Sequence, residues 1–244
     1  MEVEITTYQP IIEAFLPNIQ TFYIQPITDG LINATFKVSV ENQPDKSYIL
    51  QHINTHVFQH PENIHANIVL VGQHLKANNY PHPVLELLQT QTGNYSFVHD
   101  GATWRMFSAI ENSMTINVVQ SPEQAFEVGA FFGEFYQYLK DIKTEKIQPV
   151  LPHFLDMQSR IDAFQSALSH ASEKRKFSAK EQIKWVVDNE ELPNKWINLY
   201  LTNALPCRLI HADPKISNVL FDAITHKPKA IIDWDTLMLG TILY

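Results

Sequence analysis

One stretch, Leu209 to Asp235, constrains this chain more than any other. It reads Leu-Ile-His-Ala-Asp-Pro-Lys-Ile-Ser-Asn-Val-Leu-Phe-Asp and then, after a short turn, Lys-Ala-Ile-Ile-Asp-Trp-Asp. Cys207–Ile210 is an apolar, strand-like entry, Val219-Leu-Phe an apolar exit, and Lys229-Ala-Ile-Ile a buried-strand pattern. Short strands of this kind hold the polar residues between them in fixed loops. Asp and Asn alone would mean little, because both cap turns and helices. Here they sit in a fuller set: His211, Asp213, Lys215 and Asn218 form H-x-D-x-K-x-x-N, and Asp233 follows fifteen residues after Asn218.

That set matches what Mg²⁺-assisted phosphoryl transfer requires. Asp213 would accept a hydrogen bond from an acceptor hydroxyl and take its proton. The amide oxygen of Asn218 and the carboxylate of Asp233 would hold Mg²⁺, a hard ion that prefers oxygen. A carboxylate at the tip of a buried strand is costly unless paired, which favours a metal at Asp233. Lys215 would offset charge on the transferred group. His211 is expected to support the loop from behind. Asp235 could assist at the metal or cap the next turn, and Asp222 should shape the hairpin ending at Thr225-His226-Lys227.

The rest of the chain divides into a β-rich and an α-rich part. A short helix around Ile11, Ile12, Phe15 and Leu16 ends near Pro17. Strands are expected at Phe22–Ile27, Ala34–Val40 and Ser47–Ile53, with turns at Asp29-Gly30 and at Asn42 to Lys46. Pro61 opens a helix whose apolar face is Ile64, Ile68, Val71 and Leu75, ended by Asn78-Asn79. Strands at Val84–Leu88, Tyr95–Val98 and Thr103–Ile110 follow. Ser121-Pro122-Glu123-Gln124 then reads as an N-cap, a proline at N1 and a capping-box glutamine. The helix behind it carries Val128, Phe132 and Phe135, and the spacing of Gly129 and Gly133 suggests a close helix crossing. Further helices are expected from about Phe154 to Ala171, after a Ser178-x-x-Glu181 cap, and over Asn194 to Asn203. We therefore expect an α+β fold of two lobes, a β-rich one over residues 1–111 and an α-rich one over 112–244, with the boundary between Glu111 and Ser121.

Bulk properties exclude several classes. A net charge of −8 argues against a general nucleic-acid binder. The single cysteine rules out a disulfide framework and suits a reducing, cytoplasmic setting. No uncharged apolar run approaches the ~18 residues of a membrane span. The eleven histidines are scattered and form no H-E-x-x-H. Cys207-Arg208-Leu209 lacks the C/S-x-P-x-R setting of a sulfatase, and no G-x-S-x-G elbow is present. The apolar ending Gly-Thr-Ile-Leu-Tyr is what a C-terminally truncated chain would show.

The H-x-D-x-K-x-x-N loop with its following Ile-Asp-Trp-Asp resembles the aminoglycoside phosphotransferase and choline kinase group of kinase-like phosphotransferases. Asp29-Gly-Leu-Ile-Asn-Ala-Thr-Phe, Tyr48-Ile-Leu-Gln-His-Ile-Asn-Thr-His-Val-Phe, Gly101-Ala-Thr-Trp-Arg-Met-Phe and Ala230-Ile-Ile-Asp-Trp-Asp-Thr-Leu-Met-Leu-Gly are similar to the N-acetylhexosamine 1-kinase branch. The likeness runs over essentially the whole chain. It implies ATP and Mg²⁺ as cofactors and a small-molecule sugar as acceptor, phosphorylated at its anomeric hydroxyl. Other small acceptors, an aminoglycoside or a choline-like alcohol, remain open, as does a non-catalytic nucleotide-binding scaffold.

The resemblance further implies that the β-rich lobe covers ATP. The turn Asp29–Thr35 would lie over the phosphates, with Asn33 and Thr35 as polar donors, and Phe107 to Glu111 would be the hinge at the adenine edge. Two departures stand out. Gln51 occupies the place of the strand lysine of protein kinases, and the helix from Asn63 to Leu75 carries no acid to pair with one. Lys215 is then the expected cation on the phosphates. Leu31 stands where the branch often has histidine, which puts a polar contact near the sugar in doubt. The family also continues past this point with further helices, so the acceptor pocket is expected to be incomplete.

Overall fold

The computed structural model describes residues 5–19, 21–28, 32–41, 43–202, 204–241 and 243. The expectations for Asp29, Gly30 and Leu31 lie outside these residues. Two compact units are distinguished, one of residues 1–151 with 209–239 and one of residues 152–208 with 240–244.

The first unit begins with α1 (Ile5–Phe15), followed by β1 (Phe22–Ile27), β2 (Ala34–Val40) and β3 (Gln43–Ile53). Helix α2 (Pro61–Ala77) comes next, then β4 (Phe97–His99) and β5 (Ala102–Ser108). These strands form one antiparallel sheet in the order β1-β2-β3-β5-β4. Its core is closed by Ile11, Ile12 and Phe15 of α1 against Phe22, Val38, Leu50, Trp104 and Met106 of the strands. The apolar stripe of α2 is buried as its spacing requires: Ile64, Ile68, Val71 and Leu75 are all inside.

Two strand boundaries differ from expectation. The turn expected at Asn42 to Lys46 is mostly strand, because β3 starts at Gln43 and pairs back onto Val40 across a register shift at Ser39/Val40. The bulge lets the hairpin absorb polar residues that otherwise read as a loop. Val84–Leu88 forms no full strand. It makes one bridge, Leu87 to Phe107, with Leu88 N donating to Met106 O at 2.8 Å and Ser108 N to Glu86 O at 3.0 Å.

After β5 the chain does not pass through a bare linker. β6 (Ser113–Thr115) lies within the expected boundary segment and pairs with β8 (Val219–Asp222), which pairs with β9 (Pro228–Ile231). Between them come α3 (Pro122–Tyr138) and, at Arg208–Ile210, strand β7. Ser121 caps α3 by accepting from Gln124 N at 3.2 Å, while Gln124 Oε1 accepts from Gln120 N at 2.8 Å. The reciprocal bond of the capping box thus reaches one residue further back than expected. Gly129 and Gly133 make no close crossing: a Cβ added to either would meet nothing within 4 Å. Their spacing put them on one face, but among the described residues that face is open.

The second unit contains α4 (Met157–His170), α5 (Glu173–Ser178), α6 (Lys180–Asp188) and α7 (Glu191–Leu201). None of these helices has a buried residue. Ser178 is not the cap of α6 but the last residue of α5, with its hydroxyl turned back to Arg175 O at 2.9 Å. The last strand is β10 (Met238–Gly240). Among the described residues no helix is long and apolar enough to cross a membrane.

Candidate active site

Two loops of the first unit meet at the ends of β7 and β9. His211, fully buried, joins them: its Nε2 lies 2.9 Å from Ile232 O, and Asp213 N lies 3.3 Å from its Nδ1. Only one tautomer serves both bonds, with Nε2–H donating and Nδ1 accepting. Burial pushes the imidazole pKa down, which keeps that neutral form in place. Thr236 Oγ1 donates to His211 O at 2.7 Å, and Ile232 N donates to Asn218 O at 2.9 Å. Phe132 of α3 stands edge-on to the His211 ring, and Phe135 packs on buried Trp234. The expected supporting role of His211 is what the structure shows.

This cross-bracing brings the expected residues together. Asn218 Nδ2 donates to Asp213 O at 2.9 Å and to Asp213 Oδ2 at 3.1 Å, and Lys215 Nζ donates to the same Oδ2 at 2.6 Å. One oxygen of Asp213 is therefore held, while among the described residues the other receives no hydrogen bond. That is the arrangement a base needs if it is to accept from an incoming hydroxyl. The Asn218 amide is fixed by its nitrogen, which leaves its oxygen available as an acceptor or ligand.

Asp233, two residues past the end of β9, lies in the left-handed region, at φ 60°, and Ala212 just before Asp213 sits at φ 62°. Aspartate visits such angles more readily than most residues, alanine rarely. Among the described residues no group donates a hydrogen bond to the Asp233 carboxylate. Burial, and then the charge of Asp235, raise its pKa to about 6, with Arg105 and Lys215 acting in the opposite direction. A solvent-accessible carboxylate without donors among the described residues, with an amide oxygen left free at Asn218, fits a hard divalent cation that would complete its shell with water and phosphate oxygens. Among the described residues no group of three His, Cys, Asp or Glu side chains could hold a metal by itself.

The residues expected around the nucleotide form a different structure. Asp235 is buried and accepts from Arg105 Nη2 at 2.7 Å and from Asn33 Nδ2 at 2.9 Å. Gln51 Oε1 accepts from Arg105 Nε at 2.9 Å and from Nη2 at 2.7 Å, and Gln51 Nε2 donates to Thr35 Oγ1 at 3.1 Å. Thr35 Oγ1 donates to Asn33 O at 3.3 Å, and Asn33 Oδ1 accepts from Asn54 N at 3.0 Å. Asn33, Thr35 and Gln51 are thus joined to each other and, through Arg105, to Asp235. Asp235, left open between assisting at the metal and capping the next turn, anchors Arg105.

Glu111 uses its side chain to grip β3, its Oε1 accepting from Ser47 N and Ser47 Oγ, each at 2.7 Å. Asp222 shapes its hairpin as expected, accepting from Ile224 N at 3.1 Å and Thr225 N at 2.9 Å. These bonds, together with Lys229, hold its carboxyl well below the usual range.

Arg105 is the residue that motif reading missed. The signal was present: Arg105 and Gln51 are polar residues in apolar strands, and they face each other across the β3–β5 ladder. His65 of α2 was missed as well. It is 4% exposed, its Nε2 has no partner among the described residues, and burial followed by the Arg105 charge lowers its pKa to about 4.

Residues 24–244 match the model of the APH phosphotransferase enzyme family. The chain belongs to that family. The phosphotransferase shares its mixed α+β, kinase-like fold with solved structures at low identity. A spectinomycin phosphotransferase in complex with ADP and spectinomycin is 12% identical, with a TM-score of 0.61 over 99% of this chain and 71% of that one. An aminoglycoside phosphotransferase from Alicyclobacillus acidocaldarius is 13% identical, with a TM-score of 0.62 over 96% of this chain and 67% of that one. An amicoumacin kinase in complex with AMP-PNP, Ca²⁺ and its ligand is 13% identical, with a TM-score of 0.60 over 99% and 67%.

Proposed function

We propose that this phosphotransferase uses Mg²⁺ and ATP to phosphorylate a hydroxyl group of a small molecule. One observation carries the reading: Asp213 is held through a single carboxylate oxygen by Asn218 and Lys215, and its other oxygen has no donor among the described residues. The nucleotides in the solved relatives, ADP and AMP-PNP, support ATP as donor. Residues 1–111 are the proposed nucleotide-binding part, and 112–244 the part that carries the chemistry.

Mg²⁺, when bound between Asn218 and Asp233, would neutralise phosphate charge and align the γ-phosphoryl group. Asp213 orients the acceptor hydroxyl and takes its proton as the bond to phosphorus forms. Lys215 is half-exposed on a flexible stem, so it can leave Asp213 for a phosphate oxygen. His211 moves no proton. Its neutral ring fixes the spacing between the base and the metal-holding carboxylate.

For the acceptor we infer the anomeric hydroxyl of an N-acetylhexosamine. This rests on the motifs around Asp29–Phe36, Tyr48–Phe58 and Gly101–Phe107. The solved relatives bind other polyhydroxylated ligands, spectinomycin and kanamycin among them. The test is ADP release in the presence of Mg-ATP across N-acetylhexosamines, aminoglycosides and choline. Sugar-dependent release is the expected result, and release with another acceptor alone would replace the sugar. Nucleotide binding without turnover on any acceptor would favour a binding scaffold.

A further inference from the structure

Arg105 is a buried cation that the chemistry above leaves unused. It is poorly placed to touch phosphate. Its side chain is 2% exposed, Nε and Nη2 are committed to Gln51 and Asp235, and Nη1 is enclosed without a partner among the described residues. The guanidinium also lies over the Phe107 ring, 5.0 Å from its centre. A phosphate ligand would have to unpack all of this.

Its bonds instead run to the loop that bears Asp233. Asp235 lies two residues beyond Asp233; it is 1% exposed, whereas Asp233 faces solvent. Without a cation beside it, the buried Asp235 would have to turn to water, and the short segment would carry Asp233 along. Arg105 supplies that cation from β5. Gln51 grips the guanidinium from β3, Asn33 donates to the same Oδ2 of Asp235 that Arg105 holds, and Asn67 of α2 donates to Leu237 O at 3.2 Å.

We propose that Arg105 is a positioning residue for metal-nucleotide binding: through Asp235 its guanidinium holds residues 233–235 so that the Asp233 carboxylate meets the cation. This rests on the kinase reading. It also accounts for the glutamine at position 51, since a lysine there would set a second buried cation against Arg105, whereas the amide oxygen of glutamine accepts two of its hydrogen bonds.

The test uses Mn²⁺ as a paramagnetic probe with AMP-PNP, so that binding is read without turnover. Arg105→Lys keeps the charge but loses the planar fork. It should weaken Mn²⁺–AMP-PNP binding by about ten- to a hundredfold, in the range found when groups behind a metal ligand are changed. Gln51→Leu loosens the grip while leaving the ion pair, and should weaken binding several-fold while remaining folded. Thermal melting is followed alongside. If both variants melt earlier but bind the metal-nucleotide as the unaltered chain does, Arg105 is structural only and the proposal is overturned. If the unaltered chain binds no Mn²⁺–AMP-PNP, the kinase reading itself falls, and this inference with it.

Discussion

The loop around Asp213 and the cluster around Arg105 each pair a cation with an aspartate, at 2.6 Å and 2.7 Å. Distance does not separate them; exposure does. Lys215 and Asp213 are 50% and 36% exposed, whereas Arg105 and Asp235 are each 2% exposed. In water a pair of this length contributes about 0–1 kcal/mol and can be exchanged for other partners. Inside the protein, breaking one leaves an uncompensated buried charge. On the proposed function, the same chemistry would serve reaction in one place and architecture in the other. The contrast also explains why the exposed pair carries the motif, while the buried pair comes from strands far apart in sequence.

The largest expected effect lies on the exposed side and concerns rate alone. Asp213→Ala should lower turnover by about 10²–10⁴-fold, the usual contribution of a positioned base. Because the pair is exposed, urea unfolding should shift by less than about 1 kcal/mol. Steady-state kinetics and equilibrium unfolding on the same preparation check both halves. Turnover that survives would remove Asp213 from the base role, and a large loss of stability would make the two pairs alike.

The mirror experiment is Arg105→Met. It leaves Asp235 buried with only Asn33 as donor, so it should cost about 3–5 kcal/mol of folding stability. Replacing both members, with Arg105→Met and Asp235→Leu together, should recover part of that loss, because an apolar pair has no charge to desolvate. A double substitution no better than the single one would show that the pair was not the source of the penalty.

These two sites also show what could be read from the sequence. That Asp213, Lys215 and Asn218 share one hydrogen-bonded loop was legible because they lie close together along the chain. The strands Phe22–Ile27 and Ala34–Val40 and the buried face of α2 were legible for a similar reason, since alternation and helical period are local patterns. The Arg105–Asp235 bond spans 130 residues and has no such pattern. Asn33, Thr35 and Gln51 were picked out as polar groups for a ligand, yet each spends its side chain within the protein. Gly129 and Gly133 erred the other way, because a small-residue face permits a close neighbour without requiring one.

His65 gives a smaller, pH-dependent reading of the buried side. Its pKa is lowered to about 4 in the folded chain, against an ordinary value near 6.5. Between those values the unfolded chain binds the proton and the folded chain does not. Stability is then full above about pH 6.5 and falls as the pH drops toward 4, by on the order of 2–3 kcal/mol from this group. His65→Gln removes the titration. The difference in urea stability between the parent and H65Q should change across that window and be flat above it. A difference that is flat throughout would mean that His65 is not held neutral beside Arg105.

The smallest expected effect is again on the exposed side and tests whether that pair has any structural value. Lys215→Ala removes the cation from Asp213 but leaves both Asn218 bonds, to the backbone and to Oδ2. Unfolding free energy should change by no more than about 0.5 kcal/mol, and the change should shrink in high salt. The reaction should nevertheless slow, because a charge that contributes little between two solvated side chains contributes more against a phosphoryl group gathering negative charge. A variant that lost stability and kept its rate would invert the assignment, placing Lys215 with Arg105 as an anchor. The expected pattern, lost rate with kept stability, would show that exposure rather than distance decides which ion pairs a protein can spare for catalysis.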